Sequence, residues 1–474
     1  MHLPILIVLA VLTALCVTAF ARDPEPGDIV GEKAPGYRGI WYWCQETGDE
    51  YVYKYSGGLG TYCAKHVPLA VYSKEAGRTF FTYGGVSEKG SLLEMVSFYD
   101  HESGTVPRPT VLMDKETSDA HDNVTVMLDD EGYVWCFASA HGTARPAYVF
   151  RSIRPHSTEK FEVAAKFNFS YPQAWYMGER GWLFLHTHYE EWQGQHGRTL
   201  WWMTSPDGRN WGERNRLARV GEGHYQVSRR CGGKVGTSFN YHPPRGEDGQ
   251  PGLNWRTNLH YLETADMGRT WCTVDGRTVD PPLREVDNPA LVRDYRQEGR
   301  NVYMKDVNFD AAGRPVILYV TSGGWHPGPR SAPFTWTVAR WSGDAWKFSE
   351  VTESDSNYDT GCLHVEAGGT WRIIGPTETG PQPYNPGGEM ALWISTDAGA
   401  TWEKRRQITA GSEYNHTYAR RPVEAHPGFY ALWADGHGRQ PSESRIYFCD
   451  REGNAYRLPQ SMDEDSAEPK PLNP

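Results

Sequence analysis

Beyond residue 21 the sequence has no apolar run long enough to cross a bilayer, so transmembrane helices are not expected. It has no run of Lys or Arg, and its formal net charge is -11 with a pI near 5.9. That balance argues against a nucleic-acid partner. No CxxC pair or Cys/His spacing marks a zinc site. Sustained helical periodicity is missing too. What the chain holds instead is 50 Gly, 32 Pro, 19 Trp and 27 Tyr, a make-up that suits many short strands joined by tight turns within one all-β unit.

The two ends differ from the middle. Residues 1–21 read as a signal peptide, apolar and closing on Ala19-Phe20-Ala21, so the expected location is secreted, or periplasmic in a Gram-negative cell. Residues 22–36 are a polar, Pro/Gly-rich leader. Residues 37–458 form the expected single folded domain, and residues 459–474 an acidic, Pro-containing tail expected to be disordered. Cys44 and Cys63 flank one candidate hairpin and are the expected disulfide pair.

Within the middle the chain repeats itself. Thr264–Trp271 and Ser395–Trp402 share the pattern Ser/Thr-x-Asp-x-Gly-x-Thr-Trp, and Ser205–Trp211 is a version one residue shorter. In such a turn the Asp carboxylate accepts backbone N–H groups, Gly takes a positive φ and Trp packs beneath. The pattern is the Asp-box of sialidase-like propellers. Its spacing, with a degenerate copy at Arg340–Trp346, gives a unit of about 60 to 65 residues and about seven blades. The expected fold is therefore an all-β, seven-bladed β-propeller, with the boxes in a structural role.

Another stretch carries chemistry. Between His121 and Arg145, two apolar segments flank the turn Asp129-Asp130-Glu131-Gly132. In a hairpin the ends of the paired strands lie side by side, so His121 and His141 should share one rim with Asn123 and Arg145. Propellers place their site where the inner strands end around the central channel, so other polar clusters should converge there. These are His224 and Tyr225, then Tyr241 and His242, then Arg256 and Asn258.

The blocks KYSGGLGTYCAKHVPLAVYS, HDNVTVMLDDEGYVW, GHYQVS, FNYHP with WRTNL, NYDTG, IIGPTETGPQPYNPGGEMALW and FYALWADG resemble the BNR-repeat polysaccharide lyases over residues 36–458. That group of seven-bladed propellers includes ulvan lyases and L-rhamnose-α-1,4-D-glucuronate lyases. The resemblance implies β-elimination beside a uronate carboxylate, with a His pair, a Tyr and an Arg lining the cleft. Those positions match His121, His141, Tyr241 and Arg256 here, with Tyr189 as the other Tyr kept open. It also implies the role of each. Arg256 neutralises the carboxylate, His141 or Tyr241 removes the C5 proton, and the remaining members supply the acid and orient the substrate.

Asn123, Arg145, His224, Tyr225, His242 and Asn258 are expected to bind substrate. The expected partner is an acidic polysaccharide containing rhamnose and glucuronate; the acidic chain favours an unsulfated arabinogalactan cap over ulvan. No cofactor is needed for the chemistry. A structural Ca2+ would suit the Asp/Asn-rich loops, as in relatives, but its ligands are not identified. The protein is expected to act as a monomer. Two other functions remain: a rhamnosidase-type hydrolase working at His66, and a non-catalytic glycan-binding propeller. A sialidase is disfavoured because YRGIWY stands where its Arg-Ile-Pro signature belongs.

Overall fold

The computed structural model describes residues 23–472 apart from 63–64, 193–194, 247–248 and 250–251. The expected signal peptide lies outside the described residues. Seven antiparallel sheets follow one another along the chain, each built on four consecutive strands in simple up-and-down order. Their inner strands are Ala70–Ser73, Val124–Leu128, Ser170–Tyr176, Gln226–Cys231, Asn301–Phe309, Cys362–Val365 and Asn415–Arg420, which begin blades 1 to 7. The fold is a seven-bladed β-propeller.

Alternation explains why these segments sit as strands. In blade 2, Val124 pairs Ala138 and Val126 pairs Cys136, and all four are fully buried between blades. Strands buried on both faces read as near-continuous apolar runs, and the large Tyr and Trp content fills the wedge between neighbouring blades.

Because each blade is four strands up and down, strand starts and turns sort onto two faces. The start of each inner strand shares a face with the loop between the second and third strands. The turn between the third and fourth strands falls on the opposite face. All three Asp-boxes occupy that turn, in blades 3, 4 and 6. Asp266 shows the mechanism: Oδ1 accepts the Thr270 N–H at 2.9 Å, and Oδ2 accepts the Thr270 hydroxyl at 2.6 Å. Gly268 has φ +84° and a Cβ there would stand 2.2 Å from Trp202, so both backbone and packing require glycine. The degenerate copy at Ser342, Asp344 and Trp346 occupies the same turn of blade 5.

Two expectations are corrected, the disordered tail and the Cys44 disulfide. The tail is ordered: Lys470–Pro471 pairs with the outer strand Ala455–Arg457 of blade 7, and Ser466–Ala467 pairs with Val106–Pro107 of blade 1. Its composition lacks a core of its own, but neighbouring edge strands supply the hydrogen bonds, and the tail ties the last blade to the first. The leader likewise adds Ile29–Val30 to blade 2 and Glu32–Lys33 to blade 1. Cys44 carries a free thiol, as do Cys136, Cys231, Cys272, Cys362 and Cys449. It stands opposite Tyr55 in the hairpin of Trp41–Glu46 with Tyr53–Gly58 and packs against the apolar cluster that holds Tyr358. Cys63 lies outside the described residues.

Candidate active site

The hairpin of blade 2 brings the two histidines together, with ring centroids 4.1 Å apart and planes 20° from parallel. Asp119, two residues before His121, joins them. Its Oδ1 accepts from His121 Nδ1 at 2.5 Å, and its Oδ2 accepts from His141 Nδ1 at 2.6 Å. A carboxylate only accepts, so both Nδ1 atoms carry the proton and both Nε2 atoms present a lone pair. Burial pushes the Asp119 carboxyl upward, but the charge and N–H groups of His121 and then His141 outweigh it and hold Asp119 far below the usual carboxylate range.

The two lone pairs meet different surroundings. His121 Nε2 faces the Tyr55 hydroxyl at 2.9 Å and the Tyr62 hydroxyl at 3.1 Å. Its ring is buried, and burial followed by the nearby His141 lowers its pKa, so it stays neutral at pH 7. The His141 side chain is 33% exposed and its Nε2 has no partner among the described residues. His141 is thus the member of the pair that can reach a substrate.

A ring of aromatic and cationic groups continues from there around the channel mouth. Tyr189, in the hairpin between the second and third strands of blade 3, stands 5.6 Å from the His141 ring. Its hydroxyl meets that of Tyr171 at 3.0 Å. The Arg198 guanidinium lies 5.7 Å from the Tyr189 ring and 5.8 Å from the Tyr225 ring. Arg256 lies 4.7 Å from Tyr225 and 4.8 Å from Tyr303, and 5.5 Å from Tyr358. Tyr358 stacks at 4.4 Å on Tyr55, which closes the ring at His121. Lys54, on the hairpin strand Tyr53–Gly58, is buried and donates to Asn254.

Lys54, Arg198 and Arg256 are all buried, and none has a carboxylate partner among the described residues. Burial, followed by the charge of Arg256, pushes the Lys54 ammonium well below its ordinary pKa. Charges left this way are costly unless an anion arrives to pair with them.

Other expected site residues fall elsewhere. Tyr241 is fully buried with its ring edge against Gly221. Neighbours on a strand point to opposite sides, so His242 takes the cleft side, 4.9 Å from Tyr225 and with both ring nitrogens unpartnered. His224 is spent on structure, donating from Nδ1 to the Asn240 carbonyl at 2.6 Å and accepting the Val220 N–H at Nε2. Asn123 is buried and holds the Gly60 and Tyr62 carbonyls, which positions Tyr62. Arg145 pairs with Asp122 through Nε at 2.7 Å and Nη2 at 3.1 Å, and Asp122 in turn holds the His141 backbone N–H. Asn258 is buried with φ 57° and accepts the Arg296 N–H. His66 lies fully buried on the same side, under Tyr171 at 5.5 Å, with no route to a polymer.

Asp119, Lys54, Tyr55, Tyr62 and Arg198 were missed by sequence reasoning. Only Asp119 had a local signal, an acid two residues before a histidine. The Asp119, His121 and His141 donor atoms lie within 4.8 Å of one another, a set that would suit a borderline transition-metal ion more than calcium. The same Nδ1 protons already bond Asp119, so a metal would have to displace them.

A model of the BNR repeat-containing family matches residues 95–354, more than half of the chain, and the chain belongs to that family. A search among curated protein sequences finds no match. Among solved structures, an ulvan lyase described as a new family of polysaccharide lyase is similar at TM-score 0.67 with 18% identity, covering 84% of this chain and 96% of that one. The same enzyme type bound to -[GlcA(1-4)Rha3S]- is similar at TM-score 0.67 with 17% identity, over 89% and 96% of the two chains. An α-L-arabinanase from Penicillium chrysogenum is more distant, at TM-score 0.42 and 12% identity over 69% and 93%. The likeness to the two ulvan lyase structures establishes a shared fold.

Proposed function

We propose that this chain is a secreted polysaccharide lyase that cleaves α-L-rhamnosyl-(1→4)-D-glucuronate linkages by β-elimination. One observation carries the reading: an open imidazole nitrogen on His141 stands in a ring of buried cations that have no carboxylate partners. A uronate brings the missing carboxylate together with an acidic C5–H.

In this reading Arg198 and Arg256 hold the carboxylate and stabilise the charge that spreads into it as C5 is deprotonated. His141 Nε2 takes the C5 proton, and Asp119 fixes the tautomer that makes this nitrogen a base. The C4–O4 bond breaks, the C4–C5 double bond forms, and O4 takes a proton from the Tyr189 hydroxyl. His121 sits behind the pair, its Nε2 facing Tyr55 and Tyr62, and acts by positioning.

The lyase fold shared with ulvan lyases supports the class. The cleft also weakens the charge argument for an unsulfated target, because its local charge is opposite to that of the chain as a whole. Both a rhamnose-capped arabinogalactan and ulvan are therefore substrates to try. A rise in the ultraviolet absorbance of an unsaturated uronate on either polymer, absent in His141→Ala, is the expected result. Release of free rhamnose without that absorbance would overturn the lyase reading in favour of a hydrolase, and neither signal would favour a binding propeller.

A further inference from the structure

We infer that the opposite face of the propeller carries a second site, separate from the histidine pair, that binds an oxyanion at Arg229. The chain's net charge is -11, yet the channel mouth on this face gathers Arg229, Arg372, Arg420, Arg421 and Arg451 around the carboxylates of Asp306 and Glu366.

Both of those carboxylates are committed. Asp306 accepts from Arg421 Nε at 2.7 Å and Nη2 at 3.1 Å. Glu366 lies between Arg372, at 2.9 Å, and Arg451, and also accepts the Tyr430 hydroxyl at 2.6 Å. Glu424 stands exposed on the rim without an ion pair among the described residues. Arg229, near the end of the inner strand Gln226–Cys231, is half-buried and makes no hydrogen bond or ion pair among the described residues. Burial lowers its pKa, and Asp306 and Glu424 only partly offset that.

Space for a ligand is present. Arg229 and Arg421 line both a small pocket inside the channel, shared with Arg420, and an open cavity of about 560 Å³ that also includes Asn308, His364 and Tyr430. His364 adds no charge: its ring stacks on Tyr430 at 3.7 Å, and burial, then Arg229, pushes its pKa down to about 3. A guanidinium fork with no acceptor is a poor state for a half-buried group, and a carboxylate, sulfate or phosphate with two oxygens in its plane satisfies it. The ligand is therefore an oxyanion, borne by an acidic saccharide or free as an inorganic ion. The site lies on the Asp-box face, away from the elimination chemistry, so occupying it need not change turnover.

Isothermal titration of the whole protein with sulfate, phosphate and sodium glucuronate, at ionic strength fixed with chloride, tests the site. Saturable binding that weakens roughly tenfold in Arg229→Gln, with the variant's circular dichroism and turnover unchanged, is expected from the loss of one charge-assisted pair. A crystal grown with selenate should place its anomalous peak within hydrogen-bond distance of Arg229, which keeps the test open if the variant misfolds. Binding of a uronate oligosaccharide by His141→Ala at two sites, one of which Arg229→Gln removes, would identify a glycan-borne anion; loss of inorganic-ion binding alone in Arg229→Gln would identify a free one. No saturable binding by wild type, binding curves for every anion unchanged by Arg229→Gln, or no selenate peak at Arg229 would overturn the proposal.

Discussion

The Asp-box turns on one face of this propeller and the histidine cleft on the other use charge in opposite ways. On the Asp-box face, acidic side chains close turns: Asp207, Asp266 and Asp397 each accept backbone N–H groups within their own loop. In the histidine cleft, Lys54, Arg198 and Arg256 from the amino-terminal hairpin, blade 3 and blade 4 converge without acidic partners among the described residues. A turn has to solve the same problem in every blade, so its solution repeats. A cleft solves one problem once, with a different residue from each blade.

That contrast can be broken most sharply at the base. His141→Ala should lower kcat/KM on a uronate polymer by about 10²–10⁴, the range for loss of general acid–base catalysis, with melting temperature little changed because the ring is partly exposed. Steady-state kinetics beside a thermal melt would check both halves.

Next in size is Arg198→Gln, expected to cost about 10²–10³ in kcat/KM through lost stabilisation of the developing charge. An effect on KM alone would reduce Arg198 to substrate binding. Tyr189→Phe should fall in a similar range, whereas Tyr241→Phe should cost no more than about threefold, since that ring packs against Gly221. If Tyr241→Phe were the more damaging of the two, the assignment of the acid would be reversed.

Asp119→Asn should lower kcat by roughly tenfold to a hundredfold, because the tautomer of His141 is no longer fixed. Burial, then His141, lowers the His121 pKa, so in an NMR titration the His121 ring should stay neutral below the ordinary imidazole value of about 6.5. Asp119 raises the His121 pKa, so its removal should shift that ring's titration further toward acid. A ring titration that moves toward alkali instead would contradict the bridging role. The smallest effect belongs to the other face: Asp266→Ala should destabilise by about 1 kcal/mol and leave kcat/KM unchanged.

The same contrast explains what the sequence revealed. The Asp-boxes repeat as words, so blade count and fold were legible. The histidine pair was legible too, because strand register alone sets His121 beside His141. Lys54 and Tyr55 on the hairpin strand Tyr53–Gly58, Tyr62 beyond it and Arg198 in blade 3 were not, since no neighbour in sequence marks them as cleft residues. Tyr241 and His242 were both expected at the cleft from one motif; His242 stands against Tyr225, while the Tyr241 ring packs at Gly221. The tail was misjudged because its order comes from pairing with Ala455–Arg457 and with the distant Val106–Pro107, which its own composition does not reveal.

The central claim is that the cations opposite His141 recognise a substrate carboxylate and use it in elimination. Its most direct test compares a rhamnosyl-glucuronate polymer with the same polymer after its carboxyl groups have been reduced to alcohols, following unsaturated-product absorbance with wild type and Arg198→Gln. The account predicts absorbance only from wild type on the intact polymer, a strongly reduced rate with Arg198→Gln, and none on the reduced polymer. Chain cleavage of the reduced polymer at a comparable rate would contradict it.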